Sequence, residues 1–215
     1  MRRTQYVVFL TVAAALTAAG VDDTAGRLEN AAAVFNSLTK SGHDIRPEQI
    51  AGADCIAVIP GFKKGAVVVG VGYGRGFISC RNDGNWSAPA AITLESGSVG
   101  VQLGGEEIDI VILSLDRERR LKLLSDRFAI GSDASAAWGN GKSAHGDVNA
   151  KILFFGHTKG TFAGFALDGA TLKSDQSSDK ALYSKKLTNH AIVEGGVPTP
   201  GVAEPFVATL AQAVK

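Results

Sequence analysis

Three apolar runs in quick succession, CIAVIP (residues 55–60), GAVVVGVGY (65–73) and GFISCR (76–81), decide the fold of this chain. Each is short and rich in β-branched or aromatic residues. The segments between them, 61–64 and 74–75, begin with Gly61 and Gly74, so the pattern predicts consecutive strands folding back on one another. Further strand-like runs follow at 90–94, 98–103 and 108–115, the last a continuous apolar stretch expected deep in a sheet. Residues 147–155 and 161–167 predict another hairpin, with Gly156 and Gly160 flanking its turn.

Helices flank this region. In residues 22–41, Leu28, Ala31, Phe35 and Leu38 recur at helical spacing, with Arg27, Asn30 and Lys40 off the stripe and Gly42 at the end. Pro47 opens a short helical turn to Ile50, and Asp116 caps a short, strongly charged helix. Residues 175–194 read as a helix stopped by Gly195 and Gly196, and 202–214 as a last one with Phe206, Leu210 and Val214 on one face. The expected fold is therefore α+β: one domain, a strongly curved and mostly antiparallel sheet, and packed N- and C-terminal helices.

Composition fits one such domain. The 215 residues are 45% hydrophobic and 20% charged, outside the disordered and collagen-like ranges. The 26 glycines are the outlier, about 12% against a usual ~7%. Gly70, Gly72, Gly74 and Gly76, spaced by two, place a bare strip on one strand face, suited to tight internal packing or to the approach of a ligand.

Residues 1–20 carry Arg2 and Arg3, an apolar stretch over 6–16, and then the small residues Thr17, Ala18, Ala19 and Gly20. That stretch is 11 residues long, whereas a bilayer span needs roughly 20, so the segment is expected to be a removed secretory signal. The mature domain would then be 21–215, periplasmic or secreted, with 20 of the 22 basic residues against 21 acidic ones and a net charge of −1. Such a balance disfavours a nucleic-acid partner. Export also puts Cys55 and Cys80 in an oxidising compartment. With a middle strand between them they would lie ~9–10 Å apart, out of disulfide reach unless the sheet is locally irregular.

Motifs for chemistry fail on inspection. The set starting at Gly72 has Phe77 where a dinucleotide fingerprint needs its last glycine, and Gly141-Lys142-Ser143 has Ala136 in place of the P-loop's first. Ser98 has Ser96 where a nucleophile elbow reserves glycine. His43, His145, His157 and His190 share no metal-ligand spacing, and Glu106, Glu107 and Asp109 read as a solvated turn. No enzyme, cofactor or metal is expected. Basic residues are more informative: Arg117, Arg119, Arg120, Lys122 and Arg127 outnumber Glu118 and Asp126, and Leu121, Leu124 and Phe128 share a face. Such a helix either rests on the core or lies at a membrane interface, its cations meeting lipid phosphates.

Several segments together resemble the SYLF domain family: IPGFKKGAVVVGVGYGRG from Ile59, DGNWSAPAAITLESGSVGVQLGGEEIDIVIL from Asp83, AIGSDASAAWGNG from Ala129, KGTFAGFALDGATLKSD from Lys159 and ALYSKKL from Ala181. The resemblance covers roughly residues 28–196. It implies a curved-sheet α+β domain without a catalytic centre that binds phospholipids. In similar animal proteins an N-terminal amphipathic helix contacts phosphoinositide membranes, and fungal members bundle actin. By position, the helix role falls on residues 27–40 and the basic turn positions on Lys63, Lys64 and Lys159. The chain departs from the family pattern at Phe155 (often Tyr), His157 (often Arg), Ser184 (commonly Gly after Tyr183) and Trp138, large for its segment. An imidazole in place of Arg gives up bidentate phosphate recognition.

An exported chain meets neither phosphoinositides nor actin, so the expected partner is an anionic phospholipid of the cell envelope. Lys63, Lys64, Lys159, Arg117 and Arg120 are the expected headgroup contacts. The alternative is a structural or protein-interaction module of the envelope that binds no lipid.

Overall fold

The computed structural model describes residues 23–40, 45–66, 69–99, 104–130, 134–138, 151–158 and 170–213. In chain order these form α1 (Thr24–Lys40), α2 (Pro47–Ala51), β1 (Cys55–Ala66), β2 (Val69–Asn82), β3 (Asn85–Trp86), β4 (Ala90–Val99) and β5 (Gly104–Ser114). There follow α3 (Arg117–Leu123), β6 (Arg127–Ala129), β7 (Ala134–Trp138), β8 (Ile152–Thr158), β9 (Thr171–Ser174), α4 (Gln176–Tyr183), α5 (Asn189–Glu194) and α6 (Glu204–Gln212).

The strands pair in the order β6-β9-β4-β2-β1-β5-β8-β7, with β3 joined to β2 off this path. Among the described strands all pairings are antiparallel except β7 with β8. Connectivity forces the curvature. β6 and β7 are opposite edges, yet only four residues separate Ala129 from Ala134. Seven strand spacings would hold the edges of a flat sheet about 34 Å apart, whereas five Cα steps reach at most about 18 Å. The sheet therefore curls into a half-barrel, and the expected α+β class holds.

Alternating side chains fill both faces. The cluster that includes Ile130, the residue leaving β6, takes Ala57, Ile59, Ile78, Ile92, Ile110, Ile112 and Phe154 from the strands, Leu123 from α3 and Ile192 from α5. On the other face Ile56, Val58, Phe77, Val111 and Phe155 meet Leu28, Phe35 and Leu38 of α1 and Phe206 and Leu210 of α6. The predicted α1 stripe is thus wholly consumed by the core, each large side chain contributing roughly 1.5–3 kcal/mol. Phe77 and Phe206 meet at a ring-centroid distance of 6.3 Å.

The three strands expected over 55–81 are two. The run 65–73 is the end of one strand and the start of the next, paired from Ala66 opposite Gly70. With no middle strand, Cys55 lies directly opposite Cys80, their Cα atoms 3.9 Å apart, and they form a disulfide. The expected separation is corrected accordingly. β1 also carries a bulge between Val58 and Lys63, where its register slips against both neighbours. Gly61 sits there at φ 58°, a left-handed conformation suited to glycine, and its N–H donates to Asp109 Oδ1 at 2.8 Å.

The bulge flips side-chain parity, so Phe62 joins the face of Ile59. Its ring lies across the glycine strip: a Cβ on Gly72 would collide with Phe62 Cζ. Internal packing, not a ligand, occupies that strip. The runs 90–94 and 98–103 share one strand up to Val99, and β8 continues past Gly156 to Thr158. The second strand of the expected hairpin lies outside the described residues. The helix expected over 175–194 is two helices, parted where Ser184 adopts φ 53° and restarted by the Thr188 cap.

Candidate functional site

Beyond the bulge the sheet leaves side chains in water on the face where α1 packs. Lys63 pairs opposite Tyr73 on one side and Glu107 on the other. Tyr73 is 52% exposed and Val71, two residues along the same face, 65%. Lys63 is exposed too and has no ion-pair partner among the described residues. An amphipathic aromatic, a branched aliphatic and an exposed ammonium at one sheet end form a small oily and cationic platform.

Beside it runs a groove of about 430 Å³ between α1 and the bulge. Arg27, Asn30 and Ser37 project from the helix wall, and Gly61, Glu107 and Asp109 line the sheet side. Asp109 is only 6% exposed, its carboxylate fixing the bulge through Gly61. His157, on β8, is paired opposite Asp109 and exposed. Arg27 closes one end, its guanidinium donating to Thr24 Oγ1 and Ser178 Oγ, each at 3.2 Å, above the Phe77 ring.

A second polar network pins α4 to the sheet. Arg75 meets Asp175 at 2.6 Å and donates to Ser178 Oγ at 2.7 Å. Burial alone would raise the Asp175 pKa, but hydrogen bonds from Arg75, Ser177 and the Ser178 backbone overcome it and hold the group at about 2. Asp179, which accepts from the Ala91 N–H at 2.7 Å, is pushed up to about 7 by burial, against that hydrogen bond and with help from the Asp175 charge. Tyr183, donating to Pro89 O at 2.7 Å, is also raised, mainly by burial.

The five headgroup residues expected from sequence do not converge. Lys63 is on the platform. Lys64 follows it in β1, paired opposite Gly72 and Glu106. Lys159 lies outside the described residues; β8 ends beside it at Thr158, opposite Ile108 and so at the Lys63 end of the sheet. Arg117 and Arg120 are at the other end: β5 runs seven residues from Glu107 to Ser114 before α3, about 23 Å.

Arg120 is 4% exposed, ion-paired with Glu194 at 2.7 Å and Asp54 at 3.4 Å, and donates to Arg81 O at 2.7 Å and to Asn82 Oδ1. Its expected headgroup role is corrected: this guanidinium ties α3, α5 and the β1 and β2 ends together. The expected face of Leu121, Leu124 and Phe128 does not form one interfacial surface, since Leu124 enters the core and Phe128 belongs to β6, while Leu121 is exposed on α3. Arg117 remains exposed. Sequence reasoning missed the groove, whose acidic wall read as a solvated turn; the bulge signal, Pro60-Gly61 inside an apolar run, was its only trace.

A family profile described as "Ysc84: Las17-binding protein actin regulator" matches residues 95–213. Protein YSC84 of Saccharomyces cerevisiae is 29% identical over 189 residues, covering 77% of this chain and 40% of that protein. SH3 domain-containing YSC84-like protein 1 is 32% identical over 180 residues in Rattus norvegicus, covering 79% of this chain and 53% of that protein, and 30% identical in Homo sapiens. The chain thus spans about half or less of these curated relatives.

Proposed function

Because the chain belongs to the Ysc84, or SYLF, family, we propose that it is a non-enzymatic module that binds anionic phospholipid surfaces through the open end of its sheet. The carrying observation is the platform of Val71, Tyr73 and Lys63, the last without an ion-pair partner among the described residues. Such a surface sets Tyr73 at headgroup depth, while each lysine near an anionic membrane contributes about 1 kcal/mol. Lys64 and Lys159 are further headgroup contacts in this reading on the family resemblance alone, and Arg117 is a separate, distant contact.

The α1 helix is not the lipid-contacting face in this proposal. Leu28, Phe35 and Leu38 are already buried against the sheet, and exposing them to a bilayer would first forfeit that packing. The Cys55–Cys80 disulfide supports the companion proposal of an exported, periplasmic or secreted chain whose residues 1–20 are a cleaved signal.

Flotation with phosphatidylglycerol vesicles tests the proposal. Binding at low ionic strength that weakens with salt and falls about tenfold in the Lys63→Glu, Tyr73→Ser double variant is expected. Absence of binding at low salt contradicts it. The family's description as actin regulators favours a second reading, a protein-contact module without a lipid ligand. Saturable cosedimentation with purified actin filaments, together with no vesicle binding, would select that reading.

A further inference from the structure

Ala91 of β4 is held from one side by two buried side chains that belong to different helices. Asp179 of α4 accepts from its N–H at 2.7 Å, and Asn189 of α5 donates from Nδ2 to its carbonyl oxygen at 3.2 Å. The N–H and C=O of one residue project to the same side of a strand, so both side chains reach the same stretch of strand edge. Each has a second oxygen, Asp179 Oδ2 and Asn189 Oδ1, that is buried and has no hydrogen-bond partner among the described residues. Turning the Asn189 amide over would only move the problem, since Ala91 O accepts and would then face another oxygen. Two buried acceptors left without a donor are costly, and one hydrogen placed between them satisfies both.

The surroundings do not supply a counter-charge instead. From β2, Arg75 is engaged by Asp175 and Ser178, and from α1, Arg27 by Thr24 and Ser178. On α5, Glu194 is paired with Arg120 and His190 is exposed. On α4 itself the ionisable neighbours are the Asp175 carboxylate, one turn earlier, and Tyr183, whose hydroxyl donates to Pro89 O.

We infer that Asp179 is a neutral acid in the folded protein, its Oδ2–H donating to Asn189 Oδ1, and that this one proton closes a clasp tying α4 and α5 to β4 at Ala91. Burial and the Asp175 charge raise the Asp179 pKa to about 7, so the clasp is closed below that pH and opens above it as the proton passes to water. Once open, a carboxylate faces an amide oxygen, and Asn189 can offer it Nδ2 only by giving up Ala91 O. That carbonyl keeps the Asp175 N–H at 2.9 Å, so the strand edge stays paired and the loosening falls on α5.

Nuclear magnetic resonance of the full chain provides the test. The Asp179 carboxyl carbon is expected to titrate near pH 7, with the Asn189 side-chain amide shifting at the same midpoint. Asn189→Leu, of the same branched shape but without the acceptor, is expected to weaken proton binding by Asp179 about tenfold, lowering that midpoint by about one pH unit. Burial acting alone would leave it unchanged or raise it. Asp179→Asn keeps a permanent donor in the same place, so the hydrogen-exchange protection of Ala91 and α5 should stay level from pH 6 to 8, where that of the unmodified protein falls. An Asp179 carboxyl already ionised at pH 6, an Asn189 amide indifferent to the titration, or an unmoved midpoint in Asn189→Leu overturns the inference. The first two are read on the unmodified protein and decide the matter even where a variant fails to fold.

Discussion

The two ends of the half-barrel use charge in opposite ways. At the end holding Cys55 and Ser114, Arg120 is sunk among Asp54, Glu194, Asn82 and the Arg81 carbonyl, and a disulfide crosses the neighbouring strands. At the end holding Ala66 and Gly104, Lys63 stands in water beside Tyr73 and Val71. Within the richer basic run Arg120 belongs to architecture, whereas Arg117 stays exposed.

Perturbing each end should separate them further. Loss of the cross-strand disulfide is expected to be the largest effect: with a separation of 25 residues, chain-entropy considerations give about 3.5 kcal/mol. Urea denaturation with and without reductant, or of a Cys55→Ser, Cys80→Ser variant, measures it. An unchanged midpoint would remove the disulfide from the account of this end. Next, Arg120→Ala leaves Asp54 and Glu194 facing each other without their cation. Because both carboxylates keep some solvent, the expected cost is about 3 kcal/mol, the low end for a broken buried pair. Vesicle binding should survive that substitution at temperatures where the variant is folded.

A smaller, pH-dependent effect resides in the pinning of α4. Asp179 has a folded value of about 7 against 3.8 unfolded, so the folded state holds its proton more tightly. Its contribution is fully present below pH 3.8 and is lost as the pH rises through 7. Asp175, held at about 2, acts oppositely, contributing above pH 3.8 and losing that contribution as the pH falls towards 2. Asp179→Asn is expected to flatten the decline in thermal stability between pH 5 and 8; an unaltered profile would show that another group titrates there. The smallest expected change lies at the open end. Lys63→Glu with Tyr73→Ser should shift unfolding by no more than about 0.5 kcal/mol, since neither side chain packs in the core.

Much of the scaffold was legible because local rules and burial agreed. The α1 stripe, the Asp116 cap and the Gly195-Gly196 stop are found where periodicity and capping chemistry place them. The β1–β2 reversal misled because it falls between Ala66 and Val69, where the sequence offers no Gly, Pro, Asn or Asp, while Gly74 and Gly76 advertise a turn that does not occur. Gly74 instead yields room to Phe62 and Gly76 to the β1 backbone at Val58 and Ile59, partners set by the Pro60-Gly61 bulge and invisible to local pattern. Ser184 shows the converse: the family's usual glycine there suits the left-handed φ of 53° that this chain imposes on a serine. At the site, Lys63 was legible as a cation. The burial of Arg120 and the acidic groove were not, because both depend on contacts between residues distant in sequence, such as Arg120 with Asp54 and Gly61 with Asp109.

Hydrogen–deuterium exchange with and without phosphatidylglycerol vesicles addresses most directly which end meets lipid. Slowed exchange in peptides spanning Lys63 to Tyr73, with no change across Arg117 to Leu123 or the buried stripe of α1, is the predicted result. Protection confined to α3 or α1, with the Lys63–Tyr73 segment exchanging as fast as in free protein, would contradict it.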